Sequence, residues 1–412
     1  MRYLFVHQNF PAQYLHLVRH LCAQRRHEVV FVCEPNANHL AGVRKLVYRL
    51  PRIPLEMVHP DAREFALAQH RAGAAAQAIG QLKTLGFVPD IIIGHHGWGE
   101  LLNMQDVFPG TPMLGYFEFF YHTDGVDVGY DPEFPLDPAQ FPRVRAKNAV
   151  NLLALALPGR GQTPTAFQRE TYPEWARPRI EIIPEGVDLE ACSPDPAVRR
   201  AGLTEGTLRL SARQKLVTYV ARDLEPYRGF HVLMRALPAV LKARADVQVA
   251  IVGSDGVSYG APPPEGSWRA QMLAELRGAI DPDRVHFLGR VPYEAHLRLL
   301  RRSDAHVYLT YPFVASWSLR EALAVGCAVI GADTPTVQEF IAHGANGLLT
   351  PGLDPVALSS AILGLLEDGK IARTLRAGAR AYAETHLSLD GHIAAFEAVI
   401  ARLTGREAPA NA

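Results

Sequence analysis

The chain has 412 residues, with 42 Lys and Arg against 42 Asp and Glu and a formal net charge of zero. The balance holds in each half, 18 basic against 20 acidic groups over residues 1–190 and 24 against 22 beyond, so neither half is the basic platform of a nucleic-acid binder. Hydrophobic residues at 48% and charged residues at 20% exclude a disordered chain, and the length suits two domains of about 200 residues each.

Four cysteines, Cys22, Cys33, Cys192 and Cys327, lie far apart in mostly apolar surroundings and make no C-x-x-C pair. That usage predicts reduced thiols and a cytoplasmic protein. The opening MRYLFVHQNFPAQ places only four apolar residues before polar ones, too few for the core of a signal peptide. The longest apolar-rich run, 149–157, falls far short of the roughly 20 residues of a membrane span. Insertion is not expected; peripheral contact with the inner face of a membrane stays open.

Apolar runs then alternate with amphipathic stretches along the chain. Residues 3–6 predict a buried strand, and Tyr14, Leu17, Val18 and Leu21 line one face of the helix after it. Strands follow at 29–33 and 43–50, a long Ala-rich helix at 61–85, a strand at 91–93, a short helix from Gly99 and a strand at 113–119. The stretch 43–52 carries Arg44, Lys45, Arg49 and Arg52, which fit either one wet face of a strand or an anionic membrane surface. Residues 120–142, rich in Pro, Asp and aromatics, are too long for a plain connector and mark a functional loop. A helix at 143–157 and a strand at 180–183 complete the first series, and 186–213 has the polar, Pro-containing composition of a link.

The second series places strands at 216–220, 247–252, 286–288, 307–309 and 328–330, with helices at 229–241, 268–279, 293–301 and from Ser318. Closing helices fall at 355–384 and 390–404, and 405–412 is expected to fray. This β-α-β rhythm implies right-handed crossovers and parallel sheets covered on both faces. The fold class is therefore α/β, two Rossmann-like doubly wound domains facing one another across a cleft. The expected boundaries are 1–190, 191–385, and a C-terminal segment 386–412 whose helix packs toward the N-terminal domain.

Two loops at strand ends carry the first functional signal. Ser318 and Glu321 have the spacing of a capping box, and a helix start offers free N–H groups and a positive dipole end to a phosphate. Arg222 and Arg228 follow the strand at 216–220. Two such loops converge on one crevice of a parallel sheet and suit a nucleotide diphosphate.

The segments VARDLEPYRGF, VAIVGSDG, VHFLGRVPYEAHLRLLRRSDAHVYLTYP, SLREALAVGCAVIGAD and VQEFIAHGANGLLTPG, over roughly 200 residues, resemble the donor domain of the retaining glycosyltransferases of family 4. EIIPEGVDLEACSP resembles the segment that precedes that domain, and the N-terminal half resembles the acceptor domain of a bacterial subgroup opening with HQNFPAQ. The resemblance implies the GT-B fold and sugar transfer with retention, from a nucleotide-diphosphate sugar (UDP- or GDP-sugar) to a carbohydrate or lipid-linked hydroxyl acceptor. It implies no tightly bound cofactor or metal, and a place in bacterial polysaccharide or glycolipid assembly. A nucleotide-sugar epimerase or phosphorylase on the same fold, and a non-catalytic nucleotide-sugar-binding subunit, are the alternatives.

In this resemblance Arg222 and Arg228 grip the diphosphate, and Glu321 holds the ribose hydroxyls, a role compatible with helix capping. The first Glu of the family's E-x7-E motif is replaced by Phe313. Ser316, Trp317 and Ser318 occupy the turn between, Trp317 being either a donor contact or a packing aromatic. The base falls near Val291, and Gly253 ends a strand that either approaches the donor or turns tightly.

On the acceptor side Asn9 or Gln13 stands in for a glycine pair of relatives. His96 or Trp98 contacts the acceptor or only caps its loop. Adjacent His95 and His96 have the wrong spacing for a helical metal site. Glu118 takes the position at which relatives carry a His; with His122 it is a candidate for acid–base work, and a salt bridge is the competing use of its carboxylate.

Overall fold

The computed structural model describes residues 1–406; the fraying expected over 405–412 lies, beyond Arg406, outside the described residues. The chain forms two compact units, Met1–Glu185 together with the C-terminal segment from Asp390, and Gly186–Leu389. Among the described residues no helix is long and apolar enough to cross a membrane.

The first unit is built on seven parallel strands: β1 Arg2–Val6, β2 Glu28–Cys33, β3 Val43–Val47, β4 Ile91–His95, β5 Met113–Tyr116, β6 Arg160–Thr163 and β7 Ile180–Ile182. Their order is β3-β2-β1-β4-β5-β6-β7. β1, β2 and β4 are near-continuous apolar runs because helices cover both faces of a parallel sheet. One core packs Leu4, Val30 and Ile92 against Ala75, Ile79 and Met104. The helix Leu389–Thr404 belongs to this unit from Asp390 onward, where Glu397 meets His20 at 2.9 Å and His392 Nδ1 lies 2.7 Å from the Pro184 carbonyl.

The second unit has six parallel strands: β10 Lys215–Asp223, β11 Val247–Ser254, β12 Val285–Gly289, β13 Ala305–Tyr308, β14 Val329–Ala332 and β15 Leu348–Thr350. Their order is β12-β11-β10-β13-β14-β15. An antiparallel pair, β8 Leu203–Glu205 and β9 Leu208–Leu210, precedes them.

Several expectations are corrected. Residues 186–213 are not a link: Cys192 and Leu208 are fully buried in the second unit and Asp195 caps a helix Pro196–Arg200. β6 is absent from the sequence reading because Arg-Gly-Gln-Thr has no apolar run, yet Gln162 and Thr163 are buried. The stretch 355–384 is two helices, Pro355–Glu367 and Gly369–His386, because Asp368 leaves the helical region and caps the second. The capping box does not form either. The helix is Trp317–Val325 with Ser316 at its N-cap, which puts Ser318 and Glu321 out of register for the reciprocal bonds.

Candidate functional site

In each sheet the strand order reverses between two neighbours, β1 and β4 in the first unit and β10 and β13 in the second. Crevices at the carboxyl ends of such strands are where open α/β sheets bind ligands.

At the second switch point, the turn Pro226–Arg228 after β10 ends in Gly229, whose φ is +67° and whose Cβ would lie 2.3 Å from Leu309. That close approach puts the Arg228 guanidinium on the loop after β13. It donates to Thr310 Oγ1 at 3.0 Å and to the Val314 carbonyl at 2.9 Å, and its charge lies 4.8 Å from the Tyr259 ring centroid. Arg228 is buried. Burial opposes its charge, but Tyr308, Tyr259 and Glu225 outweigh that and raise its pKa.

Tyr259 is held in place by Glu225. This fully buried carboxylate accepts the amides of Ser258 at 3.2 Å, Tyr259 at 3.3 Å and Gly260 at 2.9 Å. Burial raises its pKa and the three amides pull it back down. Phe313 is buried beside Tyr227 and Tyr259, with ring centroids at 5.3 and 5.0 Å. The wall formed there is aromatic.

The helix Trp317–Val325 opens next to this cluster. The Ser316 amide donates to Tyr308 Oη at 2.8 Å, and the Ser316 and Ser318 hydroxyls share a 2.6 Å bond. Ser316 makes no side-chain cap, and Trp317 is half-exposed. Glu321 is held by His296 Nε2 at 2.9 Å, with only 13% of its side chain exposed. Arg222, in contrast, is exposed at the end of β10. Val291 packs on the cluster around Leu208 and Leu299. A Cβ on Gly253 would lie 2.7 Å from Leu224, so this glycine permits tight packing between the ends of β10 and β11.

At the first switch point, Glu118 leaves β5 on a segment strapped by side chains instead of a ladder. Gln168 donates to the Glu118 carbonyl at 2.7 Å, Asn151 to that of Phe119 at 2.9 Å, and Asn148 bonds both the amide and carbonyl of Tyr121. His122 Nε2 lies 2.8 Å from the Thr171 carbonyl, an oxygen that accepts its proton. The Glu118 carboxylate is one-third exposed and lies 3.7 Å from His95 Nε2. Trp98 is half-exposed, with its ring centroid 5.8 Å from that of His95. Asn9 is exposed and its amide donates to His7 Nδ1 at 2.8 Å, while Gln13 is half-buried in the turn beyond.

His96 is turned away from this group. It is buried against Phe117 at 4.5 Å, under Gly115, where a Cβ would sit 2.0 Å from its Nε2. Burial first, then His95 and Arg179, lower its pKa to about 3. Packing of the sheet therefore corrects the expectation that His96 can reach an acceptor. His95, Glu225 and His296 were missed because their partners come from elements 23 to 35 residues away; no local spacing announces them.

Comparison with known proteins agrees with this architecture. Residues 25–192 match the family model described as glycosyl transferase family 4 group, and residues 207–382 that of glycosyl transferases group 1. A 204-residue stretch is 30% identical to the phosphatidyl-myo-inositol mannosyltransferase of Mycobacterium leprae, covering 48% of each chain. A 191-residue stretch is 27% identical to the D-inositol 3-phosphate glycosyltransferase of Corynebacterium urealyticum, covering 46% of this chain and 43% of the relative. The chain thus spans about half the length of the curated relatives it matches.

Among solved structures, sucrose-phosphate synthase from Thermosynechococcus elongatus matches with a TM-score of 0.75 at 18% identity, over 98% of this chain and 99% of that one. HepE of Anabaena, solved with UDP and glucose, matches with a TM-score of 0.67 at 17% identity, over 98% and 100%. Two adjoining glycosyltransferase matches and two Rossmann-like units of the GT-B fold agree: over both halves the chain is similar to glycosyltransferases of the family 4 type.

Proposed function

We propose that the protein is a retaining glycosyltransferase that moves a sugar from a nucleotide diphosphate to a hydroxyl acceptor. Arg228 carries the reading. It is a buried cation whose direct partners are a hydroxyl, a carbonyl and an aromatic face, none of them anionic. The Glu225 carboxylate favours this charge without contacting the guanidinium; a buried charge with only neutral direct partners is costly, and a departing diphosphate supplies a direct anionic one.

In this reading Arg222, at the open end of β10, and the amides at the start of the Trp317–Val325 helix take the remaining phosphate oxygens. Glu321 has one oxygen committed to His296 and offers the other to the ribose. Val291 marks the base end. The anomeric C–O bond breaks with its electron pair passing to the diphosphate, and the acceptor oxygen bonds to that carbon from the same face. Glu118, on the acceptor side, receives the hydroxyl proton, and His122 steadies its segment through Thr171. UDP- or GDP-sugars are the donor class, with no metal required. A carbohydrate or lipid-linked acceptor on the cytoplasmic side of a membrane fits the inositol-directed relatives.

The test is direct. UDP or GDP should raise the melting temperature of the wild type and not that of Arg228→Ala. In a transfer assay, Arg228→Ala should lower turnover a hundredfold or more, about 3 kcal/mol of lost charge stabilisation, with Arg228→Lys falling between. Unchanged kinetics in Arg228→Ala would refute the assignment.

A further inference from the structure

His95 sits at the end of β4, on the switch point of the first sheet, and its ring is fixed by its own loop. The Gly97 amide donates to His95 Nδ1 at 2.9 Å. Only glycine permits that approach, since a Cβ at residue 97 would lie 2.8 Å from His95 Cε1. A nitrogen that accepts an amide N–H carries no proton, so the ring's proton is on Nε2.

His7, at the end of β1, repeats the device: its Nδ1 accepts the Asn9 amide at 2.8 Å. The His7 ring stands perpendicular to that of His95, 89° between planes and 5.3 Å between centroids. The Tyr116 ring lies 5.0 Å from that of His95, tilted by 39°. His95 thus has a fixed tautomer and a fixed direction, and its Nε2–H faces Glu118 Oε2.

The separation there is 3.7 Å, beyond direct hydrogen-bond reach. An oxygen about 2.8 Å from both atoms bridges them, accepting from one and donating to the other. A hydroxyl has that combination. One-third of the Glu118 side chain is exposed, whereas His95 is almost wholly enclosed at 4%, so a ligand arrives from the carboxylate side.

We propose that His95 and Glu118 form a hydroxyl-binding site for a polyol, in which His95 Nε2–H donates to the hydroxyl oxygen and Glu118 accepts its proton. His7 and Gly97 are positioning residues that hold the His95 ring. That the polyol is the sugar acceptor rests on the transferase reading; the site itself does not.

The experiment uses the full chain labelled with nitrogen-15 histidine at neutral pH, with myo-inositol as the polyol probe. His95 is assigned by loss of its signals in His95→Gln. Its Nδ1 should show the shift of an unprotonated nitrogen and its Nε2 that of a protonated one. Myo-inositol should move the Nε2 signal in the wild type and not in Glu118→Gln. His95→Gln, which keeps a donor near Nε2, should bind the probe within about threefold of wild type, and His95→Phe should lose at least about tenfold. A proton on Nδ1, a spectrum unmoved by the probe, or equal movement in Glu118→Gln overturns the proposal. None of these readouts needs turnover. A UDP- or GDP-dependent melting shift, followed in parallel, reports separately on the donor reading.

Discussion

At the scale of single residues, each switch point sets a carboxylate beside an imidazole: Glu118 3.7 Å from His95 in the first unit, Glu321 2.9 Å from His296 in the second. The Glu321 pair is close enough for direct hydrogen bonding, so His296 fixes one carboxylate oxygen and leaves the other directed. His296→Phe should therefore raise the donor KM about tenfold with a smaller change in kcat, the loss expected of a charge-assisted bond. A double-mutant cycle with Glu321→Ala should show strong non-additivity, because the two act as one unit. Additive effects would mean that His296 does not work through Glu321. Arg228 and Glu321 stand out in the sequence as candidates because each sits in a recognisable motif. Their partners were not: Tyr259 reaches Arg228 through the Glu225 carboxylate and three amides of a loop more than thirty residues on.

At the scale of elements, close approaches decide which sequences the strands tolerate. Gly115 in β5 leaves the space that His96 fills from the neighbouring loop. Gly115→Ala should displace His96 and destabilise the protein by about 1–3 kcal/mol, in line with other overpacked cores, read as a lower denaturant midpoint. An unchanged midpoint would place His96 elsewhere. Asp354 caps the helix Pro355–Glu367 by accepting the amides of Val356 at 2.8 Å and Ala357 at 3.0 Å. Asp354→Ala should cost about 1 kcal/mol, with Asp354→Ser recovering most of it. Long apolar strands such as β2 and β4 were plain from sequence. β6 was not, because its buried polar residues carry no periodic signal: Gly161 lies under the Phe117 ring, where a Cβ would be 2.5 Å from Cδ2.

For the whole molecule, the buried imidazoles set the response to acid. His96 in the first unit and His306 in the second both have pKa values lowered to about 3, burial being the largest cause in each. As pH falls below the ordinary histidine value near 6.5, the unfolded chain takes up these protons and the folded chain does not. Stability present above that value should thus be lost as pH drops toward 3, by up to about 1.4 kcal/mol per pH unit for each histidine. The carboxyls of Glu100 and Glu225, raised by burial, act in the opposite sense: the fold retains protons that the unfolded chain releases as pH rises above about 4.5. His96→Gln should lose less melting temperature between pH 7 and pH 5 than the wild type. An equal loss would show that His96 is not the neutral buried group.

The sequence by itself determined the two α/β series and the loops that end their strands, and it marked the residues proposed to hold a donor, because hydrophobic period and motif spacing are local properties. The boundary at Glu185, the folded state of 186–213 and the start of the Trp317 helix were settled by tertiary structure. So was the choice between adjacent histidines. One lies against Phe117 and the other faces Glu118, since neighbouring residues at a strand end point to opposite sides and only the packed sheet assigns each side to core or crevice.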